Sequence, residues 1–407
     1  MTIDVHYGIS RTYTRALSAG LTLVALVSLV GVVTLSAEAQ TFTVLYSFMG
    51  GAVDGAGPTA GLIRDTAGNL YGTTAYGGSA CNCGTLFKLD ATGKETVLHS
   101  FTFGADGAYP FATLIRGAAG NLYGTTYFGG MLACGGGLGC GTVFAVNTTG
   151  KYKVLHSFAG GAAGAYTYAS LVRDAAGNLY GTTVEGGTSG YGTVFKLTVS
   201  SRQETVLHSF RGRDGQYPHA GLIQDAAGSL YSTTPYGGAH SSGTVFKLDA
   251  TGKVTVLHSF AGGADGANPY AGLIRDAAGN LYGTNVSGGD LTCNSGAGCG
   301  VVFKLDASGK ETVLHSFAGP EGAYPMGLTR DAMGNLYGTT TGGGAFDYGT
   351  VFKIDATGNE TVLHSFDNSL DGANPSAELI VDANGNLYGT APSGGAFGYG
   401  TVFKLAP

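Results

Sequence analysis

The sequence has 407 residues, of which 12% are charged, and its 21 Lys and Arg against 27 Asp and Glu give a net charge of −6. It contains no run of the basic residues that neutralise phosphate groups, so nucleic acid is not expected as a partner. The 73 glycines fall at fixed places in a repeat, which argues against a low-complexity chain.

Residues 1–39 have the pattern of an export signal. Arg11 and Arg15 supply a basic start, an uncharged stretch follows, and Ala37-Glu38-Ala39 offers a cleavage site before Gln40. An uncleaved anchor is the alternative, because about 18 apolar residues can span a bilayer. We favour cleavage, since small residues occupy both key positions of the site.

No second apolar stretch of that length follows the signal. We therefore expect residues 40–407 to form the mature protein, without a membrane span and as a monomer. Its expected location is secreted, either periplasmic or extracellular.

The segment Leu-Tyr-Gly-Thr-Thr, or a close variant, recurs seven times at spacings of 51 to 57 residues. A period of this length with several strands per unit is typical of a propeller or a repeat array. The repeats are marked by their tyrosines: Tyr71, Tyr123, Tyr180, Tyr231, Tyr282, Tyr337 and Tyr388.

One repeat, residues 271–317, contains four short apolar runs. Two of the connections between them read Asp-x-x-Gly, from Asp276 to Gly279 and from Asp306 to Gly309. Asp caps the amides that follow it and Gly accepts a positive φ, so both connections are expected to be tight hairpins. Each repeat is therefore predicted to be a four-stranded antiparallel meander.

The two ends of the mature chain complement each other. Residues 41–48 resemble a lone fourth strand, and residues 401–405 resemble a third strand with no fourth after it. Pairing the two would remove two free sheet edges. Small residues on the second strand and large ones on the third and fourth also suit blades that converge on an axis. We predict an all-β, seven-bladed β-propeller with four antiparallel strands per blade, closed by the N-terminal strand.

Six cysteines form three close pairs, each in the loop between the second and third strands of its repeat. Export favours disulfides, and Cys293 and Cys299 are expected to pair because neighbouring repeats have no cysteine there. By analogy Cys134 pairs with Cys140. Cys81 and Cys83 could pair with each other or cross to the adjacent repeat. Zinc is disfavoured, because no histidine lies near these pairs.

The repeat pattern resembles a known family. Gly-Leu-Ile-x-Asp-x-x-Gly-Asn-Leu-Tyr-Gly-Thr-Thr, then Gly-Gly, then Gly-Thr-Val-Phe-Lys-Leu, is similar to the GloVer tandem repeat of bacterial exported "choice-of-anchor" proteins, over nearly all of residues 41–405. Its Asp-x-x-Gly-Asn-Leu-Tyr half also looks like the blade of NHL and gluconolactonase-type propellers. The resemblance implies an exported protein, associated with the bacterial surface and with no established activity.

Six fourth strands carry a histidine in the segment Val-Leu-His-Ser-Phe. We expect these to be packed structural residues at the rim, since each lies on the outermost strand of its own blade. They are His99, His156, His208, His258, His315 and His364.

The loops from fourth to first strand carry an acidic residue followed by Gly in six copies. Such a ring could hold calcium. We favour turn formation and expect no cofactor, because these side chains should stand away from the axis and the third copy lacks one. They are Asp54, Asp106, Asp214, Asp265, Glu321 and Asp371.

The loop entering the fourth blade departs from the repeat consensus. It has arginines, a tyrosine and a histidine at positions where the loop entering the fifth blade has other residues. The next loop of the same blade adds Tyr236 and His240. Aromatic and arginine clusters suit recognition of sugars or anions, whereas neutral drift is the alternative explanation. The candidate ligand-binding residues are Arg211, Arg213, Asp214, Tyr217, His219, Tyr236 and His240.

Catalytic motifs such as Gly-x-Ser-x-Gly and His-Glu-x-x-His do not occur. We therefore favour an exported, non-catalytic binding or scaffold propeller that recognises a polysaccharide or a cell-surface protein. The alternative is a metal-dependent hydrolase or lyase that acts on a carbohydrate or lactone at the loop-rich face.

Overall fold

The computed structural model describes residues 40–52, 54–147 and 149–407, and the predicted export signal lies outside these ranges. The described chain forms seven four-stranded antiparallel sheets and one two-stranded ribbon. In six blades the four strands follow one another as a meander, and the seventh takes its fourth strand from the N-terminal segment. The predicted seven-bladed β-propeller is confirmed.

The first and second strands of each blade lie nearest the axis. The first strands are Ile63–Arg64, Ile115–Arg116, Val172–Arg173, Ile223–Gln224, Ile274–Arg275, Ala323–Arg330 and Ile380–Val381. The second strands are Leu70–Thr74, Leu122–Thr126, Leu179–Thr183, Leu230–Thr234, Leu281–Asn285, Leu336–Gly342 and Leu387–Ala391.

The third and fourth strands lie towards the rim. The third strands are Thr85–Leu89, Thr142–Val146, Thr193–Thr198, Thr244–Leu248, Val301–Leu305, Thr350–Ile354 and Thr401–Ala406. The fourth strands are Glu95–Ser100, Tyr152–Ser157, Gln203–Ser209, Val254–Ser259, Glu311–Ser316, Glu360–Ser365 and, for the seventh blade, Thr41–Ser47. A small ribbon pairs Gly55–Ala56 with Tyr76–Gly77, and the 3-10 turns are Gly135–Gly137, Gly161–Ala163, Gly263–Asp265 and Asn294–Gly296.

The Asp-x-x-Gly hairpins form as predicted. In the first blade the Asp65 carboxylate accepts the backbone N–H groups of Ala67 and Asn69, both at 2.9 Å, and Gly68 has a φ of 86°. The other carboxylate oxygen accepts the Tyr71 hydroxyl at 3.1 Å. The aspartate therefore joins the turn to the repeat tyrosine, which accounts for their constant separation.

The ring closes through the N-terminal strand. Thr41–Ser47 pairs antiparallel with Thr401–Ala406, with Thr41 opposite Ala406 and Ser47 opposite Thr401. The first strand of the described chain is thus the fourth strand of the last blade, and both chain ends share one sheet.

Adjacent blades are joined by repeated aromatic contacts. The phenylalanine that ends each fourth strand is fully buried and meets edge-on the third-strand phenylalanine of the next blade, with ring centroids 5.1 to 5.5 Å apart. The contact between Phe48 and Phe87 closes the ring from the seventh blade to the first. The pairs are Phe48–Phe87, Phe101–Phe144, Phe158–Phe195, Phe210–Phe246, Phe260–Phe303, Phe317–Phe352 and Phe366–Phe403.

Hydroxyl groups of the second strands also join neighbouring blades. Thr73 donates to the carbonyl of Pro110 at 2.9 Å, and Thr390 of the last blade donates to Ala60 of the first at 2.9 Å. These buried bonds fix the first strand of one blade against the second strand of the blade before it, and so hold the residues around the axis in place.

Candidate functional site

The two faces of the propeller carry different connections. Because each blade is an antiparallel meander, its alternate connections lie at the same end of the sheet. One face carries the crossover loops between blades together with the loops from second to third strands. The opposite face carries the hairpin turns. We call the first of these the loop face.

A depression of about 210 Å³ lies on the axis at the loop face, lined mainly by the residues that lead into the first strands of all seven blades. We call it the channel mouth. The residues that follow the crossover loops form its outer ring: Thr59, Phe111, Tyr168, His219, Tyr270, Met326 and Ser376. One or two positions further along the chain in each blade, a deeper ring follows: Gly61, Thr113, Ser170, Gly221, Gly272, Gly327 and Glu378.

One side of the outer ring is aromatic. The ring of Phe111 stacks on that of Tyr168, with centroids 5.0 Å apart. His219 lies 5.3 Å from Tyr168 on one side and 5.3 Å from Tyr270 on the other. We call these four side chains, from blades 2 to 5, the aromatic arc. The remaining outer-ring positions carry Thr, Met and Ser, so the mouth is asymmetric.

The residue at the end of each crossover loop has a left-handed backbone, and in four blades it is a tyrosine. Tyr109, Tyr166, Tyr217 and Tyr324 have φ between 54° and 64°. The same position is Gly57, Asn268 or Asn374 in the other blades, residues that tolerate this conformation. For tyrosine it costs roughly 1–2 kcal/mol. Strain of this kind tends to accumulate at functional sites.

The disulfides lie beside three of these tyrosines. The structure pairs Cys81 with Cys83, Cys134 with Cys140 and Cys293 with Cys299, which confirms the local pairing and settles the alternative for the first pair. The carbonyls of Cys83, Cys140 and Cys299 accept the backbone N–H groups of Tyr109, Tyr166 and Tyr324 at 2.8 to 2.9 Å. The equivalent bond forms in the blades without cysteines, for example from Tyr217 to the carbonyl of Tyr191 at 2.9 Å. Each disulfide therefore adds a covalent link within a loop whose contact with the crossover loop is common to all the blades.

Three of the residues singled out in the sequence meet at or beside the mouth. Tyr217 lies 6.3 Å, centroid to centroid, from Tyr236, and the hydroxyl of Tyr236 is hydrogen-bonded to that of Tyr270. His219 belongs to the aromatic arc itself. The sequence did not single out the other arc residues, although comparing the position after each crossover proline, or after Thr167 in blade 3, would have revealed them.

The imidazole of His219 is held in one tautomer. Its Nδ1–H donates to the backbone carbonyl of Tyr217 at 2.6 Å, because a carbonyl can only accept. Burial lowers the pKa of His219, so the ring stays neutral near pH 7. Nε2 is then left as a hydrogen-bond acceptor.

The other four candidate residues, Arg211, Arg213, Asp214 and His240, do not line the channel mouth. Asp214 accepts from His208 Nε2 at 2.8 Å and from the backbone N–H of Arg211 at 2.7 Å. Burial alone would raise its pKa, but these bonds hold the pKa of Asp214 below its ordinary value. The side chains of Arg211, Arg213 and His240 are exposed and do not line the mouth.

Glu378 is the one acidic residue of the deeper ring, and its sequence context does not single it out. Its side chain contacts channel solvent, yet the surrounding first strands enclose it. That enclosure raises the pKa of its carboxyl above the ordinary value. The other deeper-ring positions carry Gly, Thr or Ser.

The rim histidines pair with the acidic residues of the crossover loops. His99, His258 and His364 lie 3.1, 3.0 and 2.9 Å from Asp106, Asp265 and Asp371, and His315 lies 3.8 Å from Glu321. In the first copy Tyr46 donates to Asp54 at 3.0 Å. Blade 3 lacks the loop acid, and there His156 lies 3.3 Å from Glu204 of the next fourth strand.

Each loop acid is thus engaged within its own loop and rim strand. Among residues 40–52, 54–147 and 149–407, no group of three or more His, Cys, Asp or Glu side chains is arranged to hold a metal ion.

Three glutamates at the starts of fourth strands titrate unusually, and we call them the rim glutamates: Glu95, Glu311 and Glu360. Burial, and secondarily a nearby loop acid of the preceding crossover, raises the pKa of each to about 7 from an ordinary value of 4.5. Between these values the folded protein holds protons that the unfolded chain has released. The free energy of unfolding therefore falls as pH rises through this window.

We expect the melting temperature of residues 40–407 to be higher at pH 5 than at pH 8. His219 and His315, whose pKa values are lowered by burial, contribute slopes of the opposite sign, whereas Glu378, whose pKa is raised by burial, adds to the fall. The two histidines therefore only partly offset the three rim glutamates. Replacing all three rim glutamates by Gln should flatten the dependence, whereas Glu185→Gln, on the exposed loop face, should leave it unchanged. A melting temperature that rises from pH 5 to pH 8 in the unsubstituted protein would contradict this assignment.

The chain was compared with protein families and known structures. The family model of the Gloeobacter/Verrucomicrobia repeat matches residues 28–138, 130–296 and 291–407. No curated protein sequence gives a significant match. The chain is similar to virginiamycin B lyase from Staphylococcus aureus, with a TM-score of 0.61 and 11% identity over 90% of this chain and 99% of the lyase chain.

Two further structures are similar. The extracellular domain of a proposed one-component system from B. thetaiotaomicron has a TM-score of 0.57 and 11% identity, over 89% of this chain and 40% of that one. A proposed gluconolactonase has a TM-score of 0.41 and 16% identity, over 65% of this chain and 80% of that one, which is too distant to carry an argument. At such identities the likeness shows the fold alone. In the part of the chain described, no helix has the length and apolar character needed to cross a bilayer.

Proposed function

We propose, from the premise that the chain belongs to the Gloeobacter/Verrucomicrobia repeat family, that it is an exported binding module which recognises carbohydrate at the channel mouth. The observation that carries the proposal is the aromatic arc. Four consecutive blades place Phe111, Tyr168, His219 and Tyr270 side by side on one wall of a depression on the loop face.

The chemistry of the arc suits a sugar. The C–H face of a pyranose is apolar and packs on an aromatic ring, while tyrosine hydroxyls and an imidazole nitrogen offer partners to its hydroxyl groups. A depression of about 210 Å³ is smaller than the roughly 300–1,000 Å³ of sites that enclose drug-sized ligands. It therefore suits one sugar unit of a longer chain, with neighbouring units on the loop face.

The strained tyrosines support the same proposal. If this position before the first strand served only the backbone conformation, Gly or Asn would adopt it with less strain, as in blades 1, 5 and 7. Two of the strained tyrosines extend the aromatic surface beside the arc. The ring of Tyr109 lies 6.4 Å from that of Phe111, and the ring of Tyr217 lies 6.3 Å from that of Tyr236, which is hydrogen-bonded to Tyr270. The loop that contacts Tyr109 contains a disulfide, which also fits export into an oxidising compartment.

The test is a screen of residues 40–407, purified with disulfides intact, against soluble polysaccharides by thermal shift and affinity electrophoresis. A ligand at 100 times its Kd should stabilise the fold by about 2.7 kcal/mol. For a polysaccharide that binds, Tyr168→Ala should weaken binding by about 2 kcal/mol, roughly 30-fold. Tyr168 is 37% exposed, so its loss should leave folding intact.

Tyr348→Ala is the matched control, because Tyr348 is a tyrosine of similar exposure on the loop face that does not line the mouth. Unchanged binding by Tyr168→Ala, or no stabilising polysaccharide, would refute the proposal. Release of new reducing ends that stops on chelation would instead favour the metal-dependent hydrolase.

A further inference from the structure

Glu378 brings a single carboxyl group into the channel mouth. Enclosure raises the pKa of this carboxyl in the free protein, and a cation bound beside it would favour the ionised form. Among the described residues that line the depression it is the one carboxylate, and Lys and Arg are absent from the same lining. His219, the remaining basic side chain there, is neutral for the reason given above. The electrostatic character of the site is therefore set by one carboxylate.

The surrounding backbone makes room for this side chain. A Cβ at Gly327 would lie 2.6 Å from the Cβ of Glu378, and one at Gly61 would lie 3.4 Å from its Cγ. Larger residues at these deeper-ring positions would displace the glutamate. In the part of the chain that the structure describes, no hydrogen bond or ion pair to its carboxylate is formed, so both oxygens are free to accept from a ligand.

The carboxylate and the aromatic arc line the same small depression. A cation in such a place interacts with the carboxylate and with the electron-rich faces of the rings, and both interactions strengthen as water is excluded. The hydroxyl groups of Thr59, Thr113 and Ser170 line the same depression and offer further acceptors to a bound ligand.

We infer that the channel mouth selects a glycan bearing free amino groups, such as a de-N-acetylated amino-sugar polymer, with one ammonium group paired to Glu378. This inference rests on the proposed carbohydrate function and specifies its ligand. The sugar ring lies against Tyr168 and Tyr270, and the carboxylate distinguishes the amino sugar from its neutral counterparts.

The experiment measures by calorimetry the binding of three β-1,4-linked tetramers that differ at C2: glucosamine, N-acetylglucosamine and glucose. Glucosamine tetramer should bind roughly 10- to 100-fold more tightly than the other two, the range expected for a charge-assisted hydrogen bond. Glu378→Gln should remove this preference, by weakening binding of the glucosamine tetramer towards that of the neutral tetramers. Glu185→Gln, which changes a carboxylate outside the depression, should preserve it.

The possible results distinguish failure of the amino-glycan inference from failure of the proposed carbohydrate binding. Equal binding of all three tetramers, lost in Tyr168→Ala, would overturn the amino-glycan inference and keep the carbohydrate site. A preference that survives Glu378→Gln would overturn the role of Glu378. A lysine tetramer that binds as tightly as the glucosamine tetramer would show that the ammonium group alone is recognised. If no tetramer binds, the inference fails, and the polysaccharide screen alone then decides the proposed function.

Discussion

A variant that lacks residues 40–48 is expected to lose the native fold. These residues supply the whole fourth strand of the seventh blade, including Phe48, which is fully buried against Phe87 of the first blade. Phe42 stacks on His364 of blade 6 with centroids 3.8 Å apart. Truncating one buried Phe typically costs about 3–5 kcal/mol, and a whole domain is stable by only about 5–15 kcal/mol. Circular dichroism and thermal unfolding should show no cooperative transition.

A rearranged chain is the control for this prediction. It starts at Met49 and carries residues 42–48 after Leu405, joined by a copy of the Asp249–Lys253 turn. In blade 4 that turn sets Val254 opposite Leu248, as Phe42 is set opposite Leu405. This variant should fold and melt cooperatively. A truncated protein that melts like the intact one would show that the N-terminal strand does not close the ring.

The second large effect is expected at Gly283. A Cβ placed on this residue would lie 2.6 Å from Cζ of Phe303 and 2.9 Å from Cδ2 of Leu273. Both atoms belong to side chains buried in the same blade, so they cannot move freely aside. Gly283→Val should destabilise the protein by about 1–3 kcal/mol or more through overpacking, measured as a lower urea midpoint.

Blade 4 supplies the matched comparison, because Ser232 occupies the equivalent position. Its hydroxyl donates to the carbonyl of Gly221 at 2.9 Å, so one hydroxymethyl group is accommodated where an acceptor lies close. Gly283→Ser should therefore cost much less than Gly283→Val, and Ser232→Gly should be close to neutral. Equal urea midpoints for Gly283→Val and Gly283→Ser would show that the space beside Phe303 is not tightly filled.

The architecture was accessible from the sequence because its causes are local and repeated. An Asp-x-x-Gly turn forms a hairpin through contacts within a few residues. Because the repeat pattern recurs seven times, it specifies the same four-stranded blade each time. The complementary ends then indicated closure, which the pairing of Thr41 with Ala406 confirms. The sequence does not decide whether Cys81 pairs with Cys83 or with a cysteine of the adjacent repeat, because the choice depends on the conformation of the loop.

The candidate site was only partly accessible. Tyr217, His219 and Tyr236 depart from the repeat consensus near one another in sequence, so a comparison of neighbouring loops is enough to single them out. Phe111 and Glu378 lie hundreds of residues apart and meet only because first strands converge on the axis. Whether Asp214 faces a ligand or its own rim histidine also depends on side-chain direction, which spacing does not specify.

A crystal structure of residues 40–407 with the tightest-binding oligosaccharide addresses the channel-mouth site most directly. We expect a sugar ring seated over Tyr168 and Tyr270, with its neighbours continuing across the loop face. An oligosaccharide bound at the rim or among the hairpin turns, with the depression empty, would contradict the site and the ligand chemistry drawn from it.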